Sequence, residues 1–279
     1  MFNYITKYKY TTLSLILLVI ILLTLYYLIY IRSPVSIWKY WYEYITKFDI
    51  ETMNYGYYDE SKNEEIKHYD QCSLNLYNFV CKDLSGEVLE IGCGRGAGLY
   101  HIAKQNPHIN FTGLDYSESA IKKEKQLYKL NNLKFIEGNA MKLPFKNNTF
   151  DVVINLESSH CYDDIDAFIK EVHRVLKNNG IFNYADIKFS YNLDNLNINK
   201  QYFNIIKKAD ISKNVVKSME KTEPFKKEKI SDILKKCNIF EKFFINIFGK
   251  QFAGTTDSII FKELQNGTTK YLYIQYKKK

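Results

Sequence analysis

The sequence lacks the cysteine, repeat and charge patterns that mark several common classes of protein. Its five cysteines are scattered and include no Cys-x-x-Cys pair. We therefore expect neither a disulfide framework nor a structural zinc site, and a reducing compartment suits the chain. The net charge of +8 arises from 39 basic and 31 acidic residues, without a dense basic stripe beyond the last few residues. This charge favours a lysine-rich surface or attraction to an anionic membrane over a nucleic-acid partner. No internal repeat and no linker to a second domain are visible.

One long segment carries no charge at all. Residues 11–31 read "TTLSLILLVIILLTLYYLIYI", and about 20 apolar residues suffice to cross a bilayer as a helix. The run is too long for the core of a signal peptide, and no small-residue cleavage pattern follows it. Tyrosines and tryptophans at its end and just beyond are typical of a membrane interface. We predict a transmembrane helix over 11–31, a juxtamembrane segment and lid over 32–60, and a globular domain over 61–279.

The globular part alternates strand and helix patterns. Apolar runs predict strands at 87–92, 110–115, 134–140, 150–156 and 180–187, and two more at 240–248 and 269–277. Amphipathic stretches between them predict helices, including one over 61–84 and a mainly helical region over about 194–237. Such alternation with short joints predicts an α/β fold, with a mainly parallel sheet of seven strands, doubly wound and covered by helices on both faces.

The first strand runs into a glycine-rich turn, "EVLEIGCGRGAG", that opens a helix. Gly92, Gly94 and Gly96 let the backbone approach a ligand closely, which side chains would block. Asp115 ends the next strand, where a carboxylate can accept hydrogen bonds from a ribose diol. A glycine turn with no ligand is one alternative. A dinucleotide site is another, because the spacing also satisfies G-x-G-x-x-A.

Three features argue against the dinucleotide alternative. Glu90 stands two residues before the first glycine, where it would face a cationic or polar ligand instead of a pyrophosphate. The glycines occupy every second position from Gly92 to Gly98, as for close packing against an amino-acid moiety. Only one mononucleotide-binding half precedes the closing strands, whereas a dinucleotide fold repeats the βαβαβ unit.

The segment "VLEIGCGRGAG" resembles the first signature of class I S-adenosylmethionine-dependent methyltransferases. "FTGLDYS", "FIEGNAMKLPFKNNTFDVVIN" and "EVHRVLKNNGIF" are similar to later segments of that family, in the same order. From "MNYGYYD" to "QFAGTTDSIIFKELQNG" the chain is most similar to lipid and polyketide O-methyltransferases of the phthiotriolone/phenolphthiotriolone dimycocerosates type. Sterol methyltransferases share a related stretch after the fourth strand.

The resemblance implies a Rossmann-like fold and S-adenosyl-L-methionine as the cofactor. It implies cofactor contacts from ten residues around the predicted strand ends: Glu90, Gly92, Cys93, Gly94, Gly96, Asp115, Tyr116, Asn139, Ala140 and Asn155. The family often has an acidic residue where Asn139 stands, so the adenine contact would here involve an amide and the backbone at Ala140. It also makes Tyr55 and Tyr57 of "MNYGYYDE" candidates for a lid over cofactor and substrate.

The fourth strand ends in "NLESSHCYDD", a concentration of titratable side chains that a plain turn does not need. In an open parallel sheet, ligands bind beyond the carboxyl ends of the strands. We expect Asn155 and Glu157 to emerge beside the cofactor and His160 one turn further, towards the substrate. A hydroxyl acceptor loses its proton as the new bond forms, so His160 is the candidate general base. Glu157 would orient it or bind a substrate hydroxyl. The alternative is a structural loop histidine and a helix-capping acid, and no metal site is expected.

These patterns together predict a membrane-anchored methyltransferase that acts on a hydroxyl of a hydrophobic small molecule or lipid. Two alternatives are a sterol-type C-methyltransferase, in which Glu157 stabilises a carbocation, and a non-catalytic membrane-tethered cofactor-binding or scaffold protein. An NAD(P) oxidoreductase is a third. We expect a single-pass protein whose catalytic domain faces the cytosol, where S-adenosylmethionine is made and unpaired cysteines persist. The flanking lysines and arginines favour this side only slightly, and no pattern indicates the oligomeric state.

Overall fold

A seven-stranded sheet forms the centre of the computed structural model, which describes residues 14, 17–22, 24, 50–189 and 200–279. The strands are β1 (Glu87–Ile91), β2 (Asn110–Asp115), β3 (Leu133–Glu137), β4 (Phe150–Leu156), β5 (Leu176–Phe189), β6 (Phe203–Asp210) and β7 (Thr269–Lys278). Their order is β3-β2-β1-β4-β5-β7-β6. β7 is antiparallel to both of its neighbours, and the other four pairs are parallel. The predicted doubly wound, mainly parallel sheet is confirmed.

Helices cover both faces of the sheet. They are α1 (Gln71–Val80), α2 (Ala97–Gln105), α3 (Glu118–Leu127), α4 (Ile165–Val175), α5 (Ser212–Lys235), α6 (Ile239–Phe244), α7 (Lys250–Ala253) and α8 (Ile259–Asn266). Short polar side chains start several of them. The Ser117 hydroxyl accepts from the Ala120 N–H at 3.3 Å to cap α3, and Asp164 caps α4 at 2.9 Å. Each satisfies a backbone donor that has no partner inside its helix.

The core consists of two apolar layers, because alternate residues of a strand point to opposite faces. Val88 and Val152 pack on one side against α1 and α2. Leu89 and Val153 pack on the other side against α4. β1 and β4 are thus almost fully buried, as parallel strands with helices on both faces must be. This rigid centre supports the polar residues at the carboxyl ends of the strands.

Two predictions for the last third of the chain are wrong. Residues 203–210, predicted as helix, form the edge strand β6, which pairs with β7 along one side only and is mostly exposed. Residues 240–248, predicted as a strand, lie in α6 and the π-helical turn Ile245–Gly249. A capping box between Asn238 and Glu241 begins this helix. It favours helix over strand in a short apolar run whose periodicity alone fits both. The helix predicted over 61–84 is also shorter, since α1 spans only Gln71–Val80.

The predicted transmembrane segment, residues 11–31, lies mostly outside the described residues, as do residues 32–49 of the predicted juxtamembrane segment. Within it, residues 14, 17–22 and 24 are helical. No helix among the residues that the structure describes is long and apolar enough to cross a membrane.

Candidate active site

The glycine turn brings β1, β2 and β4 together at their carboxyl ends. Gly92, Gly94 and Gly96 have φ values of 75°, 61° and 69°, a region that favours glycine. The N–H groups of Gly92 and Cys93 donate to the Leu114 carbonyl at 2.8 and 3.1 Å, which ties the turn to β2. A Cβ atom on Gly92 would lie 2.4 Å from the Ser158 hydroxyl, beyond the end of β4. Glycine at this position therefore lets the turn lie directly against the β4 end.

Asp115, at the end of β2, holds the glycine turn in shape. Its Oδ2 accepts from the Gly94 N–H at 2.9 Å, and its Oδ1 accepts from the Ser117 N–H at 3.0 Å. Burial raises the pKa of this carboxyl to about 6 in spite of these bonds. Each carboxylate oxygen can accept a second hydrogen bond, so Asp115 can hold the turn and still bind a ribose. Tyr116, the next residue, exposes 43% of its surface.

Three buried side-chain oxygens near the turn lack a hydrogen-bond partner in the described part of the chain. One is Glu124 Oε1, and the other two are Glu90 Oε2 and Asn155 Oδ1. The other Glu90 oxygen accepts from the Tyr77 hydroxyl at 2.8 Å, and Asn155 Nδ2 donates to the Ile91 carbonyl at 2.9 Å. Burial raises the pKa of Glu90 to about 8, helped by the Asp115 charge and opposed by the Tyr77 bond. Buried polar atoms are normally hydrogen-bonded. The unpaired oxygens of Glu90 and Asn155 therefore suit a ligand that donates hydrogen bonds or carries positive charge.

The remaining predicted cofactor residues lie around the same turn. The Gly138 N–H donates to the Asp115 carbonyl at 2.9 Å, which brings Asn139 and the buried Ala140 next to the end of β2. The Asn139 amide oxygen accepts from the Met141 N–H at 2.8 Å and so shapes its own turn. Cys93 is buried, with its Sγ 3.9 Å from a carboxylate oxygen of Glu124. Burial raises the pKa of the Cys93 thiol well above its usual value, which fits a packing role.

His160 forms a pair with Asp186 at the ends of β4 and β5. The ring Nδ1 lies 2.7 Å from Asp186 Oδ1, and the His160 N–H donates to Asp186 Oδ2 at 3.1 Å. Asp186 is fully buried, while 23% of the His160 side chain remains exposed. The contact fixes the Nδ1 proton towards Asp186, so that Nε2 is the nitrogen that can accept a proton.

The pair also sets the charges of its members. Burial opposes the protonated imidazole, but the charges of Cys161 and Asp186 and the bond to Asp186 outweigh burial, and the His160 pKa lies well above its usual value. Burial likewise opposes the ionised Asp186, but His160 holds the pKa of Asp186 below its usual range. Because Asp186 stabilises the imidazolium, the neutral imidazole is a stronger base than an ordinary histidine. Raised pH is needed to populate this neutral form, so the arrangement suits a general base that works at raised pH.

Glu157 lies next to this pair and connects three distant parts of the chain. Its Oε2 accepts from the Tyr55 N–H at 3.0 Å and from the Tyr271 hydroxyl at 2.7 Å. Its φ of 49° is in the left-handed region, which is uncommon for a side chain of this size. Burial raises the pKa of Glu157 to about 7, against these two bonds and the His160 charge. Acids with strained backbone and a shifted pKa are concentrated at functional sites.

The two predicted lid tyrosines lie in different places. Tyr55 contacts Glu157 through its backbone, and its hydroxyl donates to the Gln251 carbonyl at 3.2 Å. Tyr57 instead stacks on Phe79 with ring centroids 4.5 Å apart and an interplanar angle of 15°. The structure thus brings Tyr55 to Glu157 in the candidate catalytic cluster of Glu157 and His160, whereas the Tyr57 ring packs against Phe79 of α1.

Sequence reasoning missed Asp186 and Tyr271. Asp186 was visible as an acidic residue inside the otherwise apolar end of the fifth predicted strand, beside the strand that ends in Glu157. An acid at that position requires a buried partner, and this signal could have found it. Tyr271 carried no such signal, because its role depends on β7 entering the sheet next to β5.

Comparison with known proteins agrees with this geometry. Residues 82–243 match a family model described as a methyltransferase domain. The phthiotriol/phenolphthiotriol dimycocerosates methyltransferase of Mycobacterium tuberculosis is 36% identical over 54% of this chain and 60% of that protein. The fatty-acid O-methyltransferase of Mycolicibacterium smegmatis is 36% identical over 52% of this chain and 56% of that protein. These matches thus span less than two thirds of the length of either relative.

The fold is also that of solved structures with little sequence similarity. The crystal structure of the [4+2]-cyclase SpnF superimposes with a TM-score of 0.62 at 20% identity, covering 81% of this chain and 87% of that one. At this identity the likeness concerns the fold, which hosts different chemistries. The side chains at the strand ends must therefore indicate the chemistry.

Proposed function

The chain belongs to the methyltransferase domain family, and we propose that it transfers the methyl group of S-adenosyl-L-methionine to a hydroxyl of a hydrophobic small molecule or lipid. The observation that carries this proposal is the His160–Asp186 pair, 2.7 Å apart, at the strand ends beside the glycine turn. The names of the relatives, a dimycocerosates methyltransferase and a fatty-acid O-methyltransferase, support an acceptor of lipid character.

The residues around the glycine turn fit the cofactor. S-adenosylmethionine, when bound, supplies an activated methyl group on a positively charged sulfur. The unpaired oxygens of Glu90 and Asn155 offer acceptors for N–H or O–H donors of such a ligand, for example its α-ammonium group. Asp115 would hold the ribose hydroxyls, and the exposed Tyr116 ring would face the adenine. Gly94, which has a positive φ, would approach the cofactor without a side chain between them.

The catalytic cluster would position the acceptor and remove its proton. His160 Nε2 takes the hydroxyl proton, and the buried Asp186 stabilises the imidazolium that results. Glu157, held by Tyr55 and Tyr271, orients the acceptor hydroxyl through its carboxylate. The segment around Tyr55 binds Glu157 through the Tyr55 N–H and would help to exclude water from the cluster. Orientation and proton removal are the contributions that such a displacement requires from the protein.

We also propose that residues 11–31 anchor the protein in a membrane, with the catalytic domain on the cytosolic side. The uncharged run of these residues supports the anchor, and the free cysteines of the domain support the side. A lipid acceptor would then reach the site from the bilayer. Alkaline carbonate washing should leave the protein in the membrane pellet. Protease added to intact vesicles of known orientation should cut the domain only from the cytosolic face.

One experiment tests the proposed activity directly. The purified full chain is incubated with S-adenosylmethionine labelled in the methyl group and a lipid extract, and the labelled product is identified. An ether-linked methyl group is expected, and a carbon-linked one would favour the sterol-type alternative. Titration with S-adenosylmethionine and with NADH provides the second criterion, since tight binding of NADH alone would contradict the proposal.

A further inference from the structure

A mostly apolar cavity lies beside the catalytic cluster. Its volume is about 120 Å³, and it lies between the segment 50–54, α5 and the residues after α6. Apolar side chains form most of its wall: Ile50, Met53, Ile230, Ile233 and Phe252. Asn54 also lines the cavity and directly precedes Tyr55, whose N–H binds Glu157. Adjacent residues of the chain therefore contact the cavity, through Asn54, and the catalytic cluster, through Tyr55.

The wall of this cavity contains a charged group that the proposed chemistry does not use. The Lys226 ammonium is buried and has no hydrogen-bond partner in the part of the chain that the structure describes. Burial lowers the pKa of Lys226 to about 8, although the charges of Glu157, Cys72 and Glu223 favour its ammonium form. An unpaired buried ammonium costs free energy, which an anion can remove.

The two nearby carboxylates are engaged elsewhere. Glu223 binds Lys227 at 2.7 Å and accepts two hydrogen bonds from Thr256. Glu157 Oε2 accepts from two other donors, as described above. A second lysine, Lys229, lines the same cavity and adds to its positive charge. The cavity thus combines apolar walls with an ammonium that lacks its anion.

We propose that this cavity binds the carboxylate end of an apolar molecule, with Lys226 as the counter-ion of the carboxylate. The inference rests on the proposed function in one respect, since it takes the bound molecule to be the methyl acceptor. Pockets for whole small ligands usually measure at least about 300 Å³, so a cavity of about 120 Å³ suits a head group and its first few carbons. One buried, unpartnered ammonium, that of Lys226, in a mostly apolar wall suits one carboxylate on an alkyl chain.

Binding of two matched probes to the full chain tests this inference. Octanoate and octanamide have the same shape, and only octanoate carries a charge at neutral pH. Calorimetric titration of the wild-type protein should give a dissociation constant for octanoate about tenfold or more below that for octanamide, the ratio expected if an ion pair contributes about 1.4 kcal/mol. Lys226→Met keeps the length of the apolar stem and should abolish this preference. Lys226→Arg should retain most of it.

Lys235→Met provides the matched control. Lys235 is the last residue of the same helix, but 73% of its side chain is exposed and its ammonium binds Asp232. This variant should keep the preference for octanoate. Equal binding of both probes by the wild-type protein, or an unchanged preference in Lys226→Met, would overturn the inference.

The probes are titrated without cofactor, so this test of the carboxylate site does not depend on whether the protein is a methyltransferase. A chain that methylates lipid hydroxyls but does not distinguish the two probes would refute the carboxylate site alone. A chain that prefers octanoate through Lys226 but binds no S-adenosylmethionine would refute the methyltransferase proposal and keep the site.

Discussion

Single residues determine how the proposed reaction handles its proton. Because Asp186 raises the His160 pKa, the neutral base form accumulates only as the pH rises. Turnover should therefore increase with pH along a limb above neutrality. Asp186→Asn removes the negative charge, lowers the His160 pKa and should move this limb to lower pH while reducing the maximal rate. Measuring kcat with labelled cofactor between pH 6 and 10 tests this expectation.

Removal of the base gives the complementary result. His160→Ala should lower turnover about 10²–10⁴-fold, abolish the limb and leave cofactor affinity nearly unchanged. His101→Ala is the matched control, because that ring lies on α2 among Asn78 and Gln105, away from the cluster. Wild-type turnover in His160→Ala would mean that another group, or none, removes the proton.

A substitution at Gly94 tests whether the glycine turn binds the cofactor. The φ of 61° at Gly94 favours glycine, and its N–H donates to Asp115, the proposed ribose ligand. Gly94→Val should abolish S-adenosylmethionine binding in a calorimetric titration while circular dichroism shows a folded domain. Gly267→Val is the control, because Gly267 has a φ of 81° and open space around its α-carbon. If the control loses affinity equally, backbone strain alone explains the result.

Among the elements, the segment around Tyr55 and the helices α1 and α5 act as one unit. A Cβ atom on Gly56 would lie 2.4 Å from the Ser218 hydroxyl of α5 and 2.8 Å from the Cys72 carbonyl carbon of α1. The φ of Gly56 is 80°. Gly56→Ala should therefore move the segment around Tyr55 away from α1 and α5 and separate the Tyr55 N–H from Glu157.

The expected cost is a destabilisation of about 1–3 kcal/mol in urea unfolding, together with a lower turnover and faster proteolysis near this segment. Gly267→Ala shares the backbone strain without any contact within 4 Å. It should cost less stability and leave turnover unchanged. Equal behaviour of the two variants would show that close packing of Gly56 is unimportant.

The whole molecule should respond to pH through three buried carboxyls near the glycine turn. Burial, the largest cause in each case, raises the pKa of Glu90 to about 8, of Asp115 to about 6 and of Glu124 to about 9. In the unfolded state these carboxyls have their ordinary pKa values near 4. Between about pH 4 and these raised pKa values, the folded state thus binds more protons than the unfolded state. Its free energy of unfolding should then fall as the pH rises through this range.

Thermal unfolding of the ligand-free protein at several pH values between 5 and 9 measures this dependence. The melting temperature should decrease steadily towards pH 9. The double variant Glu90→Gln, Glu124→Gln removes two of the titrating groups and should flatten the curve. A melting temperature that rises with pH in the wild-type protein would contradict the burial of these carboxyls.

The sequence by itself determined the parts of this protein that depend on local pattern. Hydrophobic periodicity predicted the five strands up to residue 187. Residue types predicted the glycine turn and the polar end of β4, because glycine spacing and clustered titratable side chains indicate a ligand site. The resemblance to class I methyltransferases, based on the same segments, is confirmed by the match over residues 82–243. Residues 11–31 stay a prediction, because they lie mostly outside the described part of the chain.

Only the tertiary structure decided the contacts between distant segments. Asp186 meets His160 across 26 positions, and Glu157 receives Tyr55 and Tyr271 across 102 and 114 positions. These contacts depend on β5 lying between β4 and β7 in the sheet, and on β6 forming the edge. Strand order arises from long-range packing that no local pattern encodes. For the same reason β6 was mistaken for a helix. Residues 240–248 were mistaken for a strand for a local reason, because their apolar pattern was interpreted without the capping box of Asn238 and Glu241.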